Sequence, residues 1–236
     1  MSSVRNRSIS RRLVLAAVLA GAAAGPAAAN VLVVRSSGPS ARLYPAGRSL
    51  PDTARITLRS GDTVVILDAR GTRTFRGPGN FNPATAARAG TRIAENGGRR
   101  ARIGAVRSAG IVASPTTIWH IDVSQSGTMC LAGTSNVMLW RPEAGQTTAL
   151  TISGPGGASR SVQWPAGRSA VAWPSDLPIA DGGAYQFRQA GVAVPTQITF
   201  RTLNSQPSDM QAVAAALIQA GCQEQLDLLV DSAPNQ

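Results

Sequence analysis

The sequence predicts a mainly β protein, in which a small N-terminal β-module is followed by a β-sandwich-like domain with a C-terminal α-helix. Three observations predict it. From Asn30 onward, short runs of β-branched and apolar residues alternate with Gly, Asp, Ser and Pro turns. From Ile111 roughly eight further runs of this kind recur at intervals of about 8 to 14 residues, the spacing of a sandwich or barrel-like domain. Only after Pro207 does the apolar spacing lengthen to the three-to-four of a helix.

Residues 1–29, MSSVRNRSISRRLVLAAVLAGAAAGPAAA, precede the first strand and read as a secretory signal peptide. Arg5, Arg7, Arg11 and Arg12 form its charged region, and an alanine-rich apolar run over residues 13–24 follows, too short for a permanent bilayer span. Ala27 and Ala29 are the small residues a signal peptidase requires, so cleavage is expected after Ala29. The stretch from Ser10 to Leu15 is similar to a twin-arginine signal. Arginine pairs are common in such leaders, and ordinary Sec export is favoured. The expected compartment is the periplasm, with no membrane anchor after cleavage.

Residues 30–82 form the first module. VLVV at residues 31–34 is a compact strand, and SSGPS at residues 36–40 a loop. Further strands are expected around residues 56–58, 63–67 and 72–75, with Gly61-Asp62 and Ala69-Arg70-Gly71 as the turns. Ile56 and Leu58 alternate with polar neighbours and so have one buried face. Val64 to Leu67 is continuously apolar, and burial on both faces is expected. Gly77 and Gly79 read as turn residues.

This succession, ITLRSGDTVVILDARGTRTFRGPGNF, resembles the FecR-type domain of periplasmic sensory proteins. The matching features are Gly61-Asp62, the apolar strand from Val64 to Leu67, Asp68 and Gly71. The likeness spans residues 31–81 and implies a small strand-rich module placed near a membrane sensor. It does not bring the cytoplasmic region or the membrane helix of complete FecR regulators. A second likeness, to bacterial SH3 modules, runs through VVRSSGPSARLYPAG at residues 33–47, without the Trp-containing strand expected after it.

Residues 83–110 read as a basic helix and connector. Asn82 is a good N-cap, Pro83 a good first helical residue, and Gly97-Gly98 a stop. The 23 basic residues of the chain are all arginine. Fourteen lie in residues 30–107 against four acids, whereas residues 108–236 hold five against eight. Such asymmetry implies two units with different surfaces. Arg70, Arg73 and Arg76 in the module, and Arg99, Arg100 and Arg102 in the connector, are the candidate contacts for an acidic protein partner, an anionic surface or a cell-wall polymer. An exported protein does not meet the genome, so nucleic acid is not an expected partner.

Residues 111–206 hold the sandwich strands, marked by Trp119, Trp140, Trp164 and Trp173. Trp164-Pro165 and Trp173-Pro174 end strands, which makes these two rings the candidates for stacking on glycan. GPGGAS at residues 154–159 reads as a hairpin loop; no lysine follows to make it a phosphate loop. Ser208 to Gln211 fits a capping box opening the C-terminal segment, residues 207–236. Gly221 is expected to bend that helix, which is expected to pack on the sandwich. Cys130 and Cys222, the only two cysteines, are expected to form a disulfide in an oxidising compartment.

Chemistry is sparse. His120 is the single histidine, so no zinc ligand set is complete, and no Asp-X-Asp-X-Asp pattern marks a calcium site. His120 and Asp122 share one strand face, but no Gly-X-Ser-X-Gly elbow accompanies them. The expectation is a protein without cofactor or enzymatic activity that binds or scaffolds at the cell envelope. Glycan binding is the alternative, and hydrolysis through His120 and Asp122 a lesser one.

Overall fold

A computed structural model describes residues 30–84, 115–203 and 207–236. Its N-terminal module contains β1 (Asn30–Ser37), β2 (Ser49–Pro51), β3 (Ile56–Leu58), β4 (Thr63–Asp68), β5 (Gly71–Arg76) and β6 (Gly79–Phe81). The order β2-β1-β4-β5 makes one antiparallel sheet, and β3 pairs with β6 beside it. The three strands expected over residues 56–75 are present, and Val64 to Leu67 are all buried.

Alternation explains this burial. Val31, Val33, Val64 and Ile66 enter the core of the module together with Ile56, Leu58 and Phe75. Leu32, Val34, Val65 and Leu67 point out of the opposite face into a second cluster. β2 and β6, each three residues long, are additions to the expected set; a Pro and a Gly within them mask any period-two pattern.

The second domain contains β7 (His120–Asp122), β8 (Gly127–Leu131), β9 (Met138–Trp140), β10 (Thr148–Ser153), β11 (Ser159–Trp164), β12 (Ala170–Ala172), β13 (Ala184–Gln189) and β14 (Thr196–Thr202). Each overlaps one of the eight expected runs, β8 starting one residue and β11 two residues before its run. A five-stranded sheet, β11-β10-β13-β14-β8, faces a three-stranded one, β12-β9-β7. Ile121 and Leu139 from the small sheet meet Leu150, Ile152, Phe187 and Phe200 from the large one in a shared core. The loop from Gly154 to Ala158 joins β10 to β11 as a hairpin, as its glycines imply.

Two helices close the chain, α1 (Met210–Ala220) and α2 (Gln223–Ser232). Asp209 caps α1 by accepting from the Ala212 N–H at 2.8 Å, one residue later than the expected Ser208 box. Gly221 ends α1 in the left-handed conformation, φ +75°. The helices do not rest on the sandwich alone. Ala214, Leu217, Leu226 and Val230 cover the outer face of β1 and β4, while the same cluster includes Cys130 of β8. Cys130 and Cys222 are disulfide-bonded, with Cα atoms 5.9 Å apart.

Candidate functional site

The basic face of the N-terminal module is the first candidate. Residues 30–84 carry eight arginines and three aspartates. Two of those aspartates are spent within the fold. Asp62 is 2 % exposed and accepts from the backbone N–H groups of Ser40 and Arg59. Asp68 accepts from the Arg70 backbone N–H and pairs with Arg73. Arg42, Arg55, Arg70 and Arg76 remain exposed, with no ion pair among the described residues. A concave groove of about 610 Å³ opens beside Arg70, lined also by Asn30, Asp52, Asp68, Pro83 and Gln211.

Arg73 corrects the sequence reading. It was expected beside Arg70 and Arg76 as a partner contact, but it is 4 % exposed. β5 pairs Arg73 with Ile66 and Phe75 with Val64, so strand alternation turns Arg73 to the inward face that Phe75 occupies. There it pairs with Asp68 and donates to the Pro83 carbonyl. Arg99, Arg100 and Arg102, and the helix expected from residue 83 beyond its first two residues, lie outside the described residues.

The tryptophans are also corrected. Trp164 is 1 % exposed; its indole Nε1 donates to the Arg168 carbonyl at 2.8 Å, and the Arg141 guanidinium lies 5.0 Å from the ring centroid. Trp173 donates to the Leu177 carbonyl and meets Tyr185, Phe187 and Phe200 edge-on. Trp164 is a core residue and Trp173, half-buried, packs against that core, because large aromatic surface is buried in a sandwich core before it is displayed.

His120 and Asp122 do share a crevice, with Glu224 of α2 on its other wall. They do not form a relay. Asp122 accepts from the N–H and hydroxyl of Ser124, and the His120 Nδ1 contact is Thr116 Oγ1 at 3.5 Å. No serine hydroxyl lies within hydrogen-bond distance of His120 among the described residues. Burial pulls the His120 pKa down; burial, then the charges of Asp122 and Asp227, push Glu224 up. Among the described residues no three His, Cys, Asp or Glu side chains gather as a metal ligand set.

No protein-family model, curated protein or solved structure matches the chain. Its function therefore rests on the geometry alone. Among the described residues no helix is long and apolar enough to cross a membrane.

Proposed function

We propose that this chain is an exported, periplasmic binding or scaffold protein without enzymatic activity, accessory to envelope sensing, whose basic N-terminal module contacts an acidic partner. One observation carries the reading. Asp62 and Asp68 of the module are committed to its own backbone and to Arg73, which leaves the exposed Arg42, Arg55, Arg70 and Arg76 without an ion pair among the described residues. Uncompensated surface charge of one sign steers association with the opposite sign. The leader-like residues 1–29, the FecR-like turn and strand order, and the disulfide support the envelope setting.

Photo-crosslinkers placed at Arg70 and Arg76, and as a control at Asp181 on the sandwich, test it in the native envelope. The expected result is an adduct from positions 70 and 76 only. Its yield should fall about tenfold in half-molar salt, where the screening length drops to a few Å, and equally when the remaining arginine of the pair is replaced by Glu. Adducts only from position 181, or insensitive to salt, would overturn the reading, as would recovery of the chain in the cytoplasmic fraction.

A further inference from the structure

Arg141 is the one arginine of the sandwich that the fold buries, at 3 % exposure. It follows Trp140 at the end of β9, where its backbone N–H is taken by the Ser169 carbonyl. The guanidinium is held on one side only. Nε donates to the Arg168 carbonyl at 3.3 Å, and Nη2 to the carbonyls of Gln146 at 2.8 Å and Pro165 at 3.1 Å. The guanidinium carbon lies over the Trp164 ring, 5.0 Å from its centroid, and Trp164 shares the Arg168 carbonyl. Among the described residues no carboxylate pairs with it, and Nη1 donates to nothing.

A buried cation without a counter-ion is unfavourable unless something else meets it. Carbonyl dipoles meet three of its five N–H groups. The two on Nη1 are not sealed in the core, since Arg141 lines an open cleft of about 770 Å³ at the end of the large sheet. Thr147, Thr148, Gln163 and Gln189 supply neutral donors and acceptors around that cleft, and Glu143 is its only acid. Burial pulls the Arg141 pKa below the usual arginine range.

We infer that this cleft binds a small polar ligand through a single carboxylate, which accepts from Arg141 Nη1 while the surrounding amides and hydroxyls meet its neutral groups. A guanidinium fixed by Trp164 and three carbonyls does not have to be ordered on binding, which favours affinity. A monoanion fits better than a phosphate dianion, because one cation faces it and Glu143 repels a second negative charge. Carboxylates of this kind occur at peptide C-termini and on acidic sugars. The two sources share the chemistry and differ in the groups beside it.

The test is a titration of the full oxidised chain, followed by backbone amide NMR, with four probes. N-acetyl-alanyl-alanine is compared with its C-terminal amide, and N-acetylmuramic acid with N-acetylglucosamine, which lacks the carboxylate. One acid is expected to bind at about millimolar Kd, shifting the amides of Ala149, Gln163 and Ala190, with its neutral counterpart about tenfold weaker or worse. Which acid binds assigns the source. Arg141→Gln should abolish the shifts. Because that change also loosens the segment around Pro165, the exposed Glu143→Gln is the second arm, and it should tighten binding about threefold at low salt. Equal shifts from acid and neutral probe, no shift up to about 50 mM, or a Glu143→Gln variant that binds no tighter would overturn the inference.

Discussion

Asp62 shows how one side chain holds two loops. Its carboxylate accepts from the Ser40 N–H at 2.8 Å and from the Arg59 N–H, tying the loop after β1 to the turn before β4. Gly38 makes room for this, since a Cβ there would stand 2.6 Å from Asp62 Oδ1. Burial pushes the Asp62 carboxyl up, but the hydrogen bonds from Ser40 and Arg59 and the Arg59 charge outweigh it, and the pKa lies below the usual aspartate value. A depressed folded-state pKa contributes stability that is present above the unfolded value of about 4 and is lost as pH falls through the folded one. Asp62→Asn is therefore expected to lower the urea midpoint at pH 7, with the gap to the parent narrowing as the pH falls below the unfolded value of about 4. An equal gap on both sides of that value would mean that the ionised form carries no special weight. At this scale the sequence was readable in part. Gly61-Asp62 is recognisable as a turn, whereas the inward side of Arg73 is set by the pairing of β5 with β4. Arg141 was not recognisable, because the carbonyls that hold it belong to residues 146, 165 and 168 and only the fold brings them together.

β5 is an edge strand, and the chain's own C-terminus covers part of it. The Thr72 N–H donates to the Pro234 carbonyl at 2.9 Å, the Gln236 N–H to the Thr72 carbonyl at 3.1 Å, and the Gln236 side chain to the Arg70 carbonyl at 2.6 Å. Covering an edge in this way removes a template for pairing with another chain. Gly71 permits the approach: its φ is +132°, and a Cβ there would stand 2.1 Å from the Pro234 oxygen. Gly71→Ala should therefore expel residues 234–236, seen as fast hydrogen exchange at Thr72 and Gln236 with unchanged protection in β10 and β13. Retained protection at Thr72 would show that the tail can shift without leaving. Elements such as β10 and β13 were readable in the sequence because antiparallel neighbours are built from local alternation and adjacent turns. The tail was not, nor were the parallel pairings of β14 with β8 and of β7 with β9, which join strands that are not neighbours along the chain and leave no local period. The same holds for the helices, whose apolar faces predicted burial but did not say against which sheet.

At the scale of the whole molecule, the cores of the module and the sandwich have no residue in common, and the helical pair connects them. Three kinds of contact make that connection. Apolar side chains of α1 and α2 cover Leu32, Val34, Val65 and Leu67. Gln225, 2 % exposed, accepts from the Cys130 N–H at 2.6 Å and donates to the carbonyls of Cys130 and Ile118, completing the backbone pairing of β8. The disulfide then fixes Cys130 to Cys222. The Arg35 ion pair with Asp227 is exposed on both sides, so it contributes little by comparison. With the cysteines 92 positions apart in the sequence, the loop-entropy contribution of the bridge is about 4 to 5 kcal/mol. Replacing both cysteines by alanine leaves no thiol to react and buries no hydroxyl in the apolar cluster around them. The double variant should unfold at a clearly lower urea concentration, and its helices should lose hydrogen-exchange protection before the sandwich strands do, since the sandwich core contains no helix residue. An unchanged midpoint would assign the connection to Gln225 and the apolar faces alone. Loss of sandwich and helix protection together would instead show that the molecule unfolds as one cooperative unit.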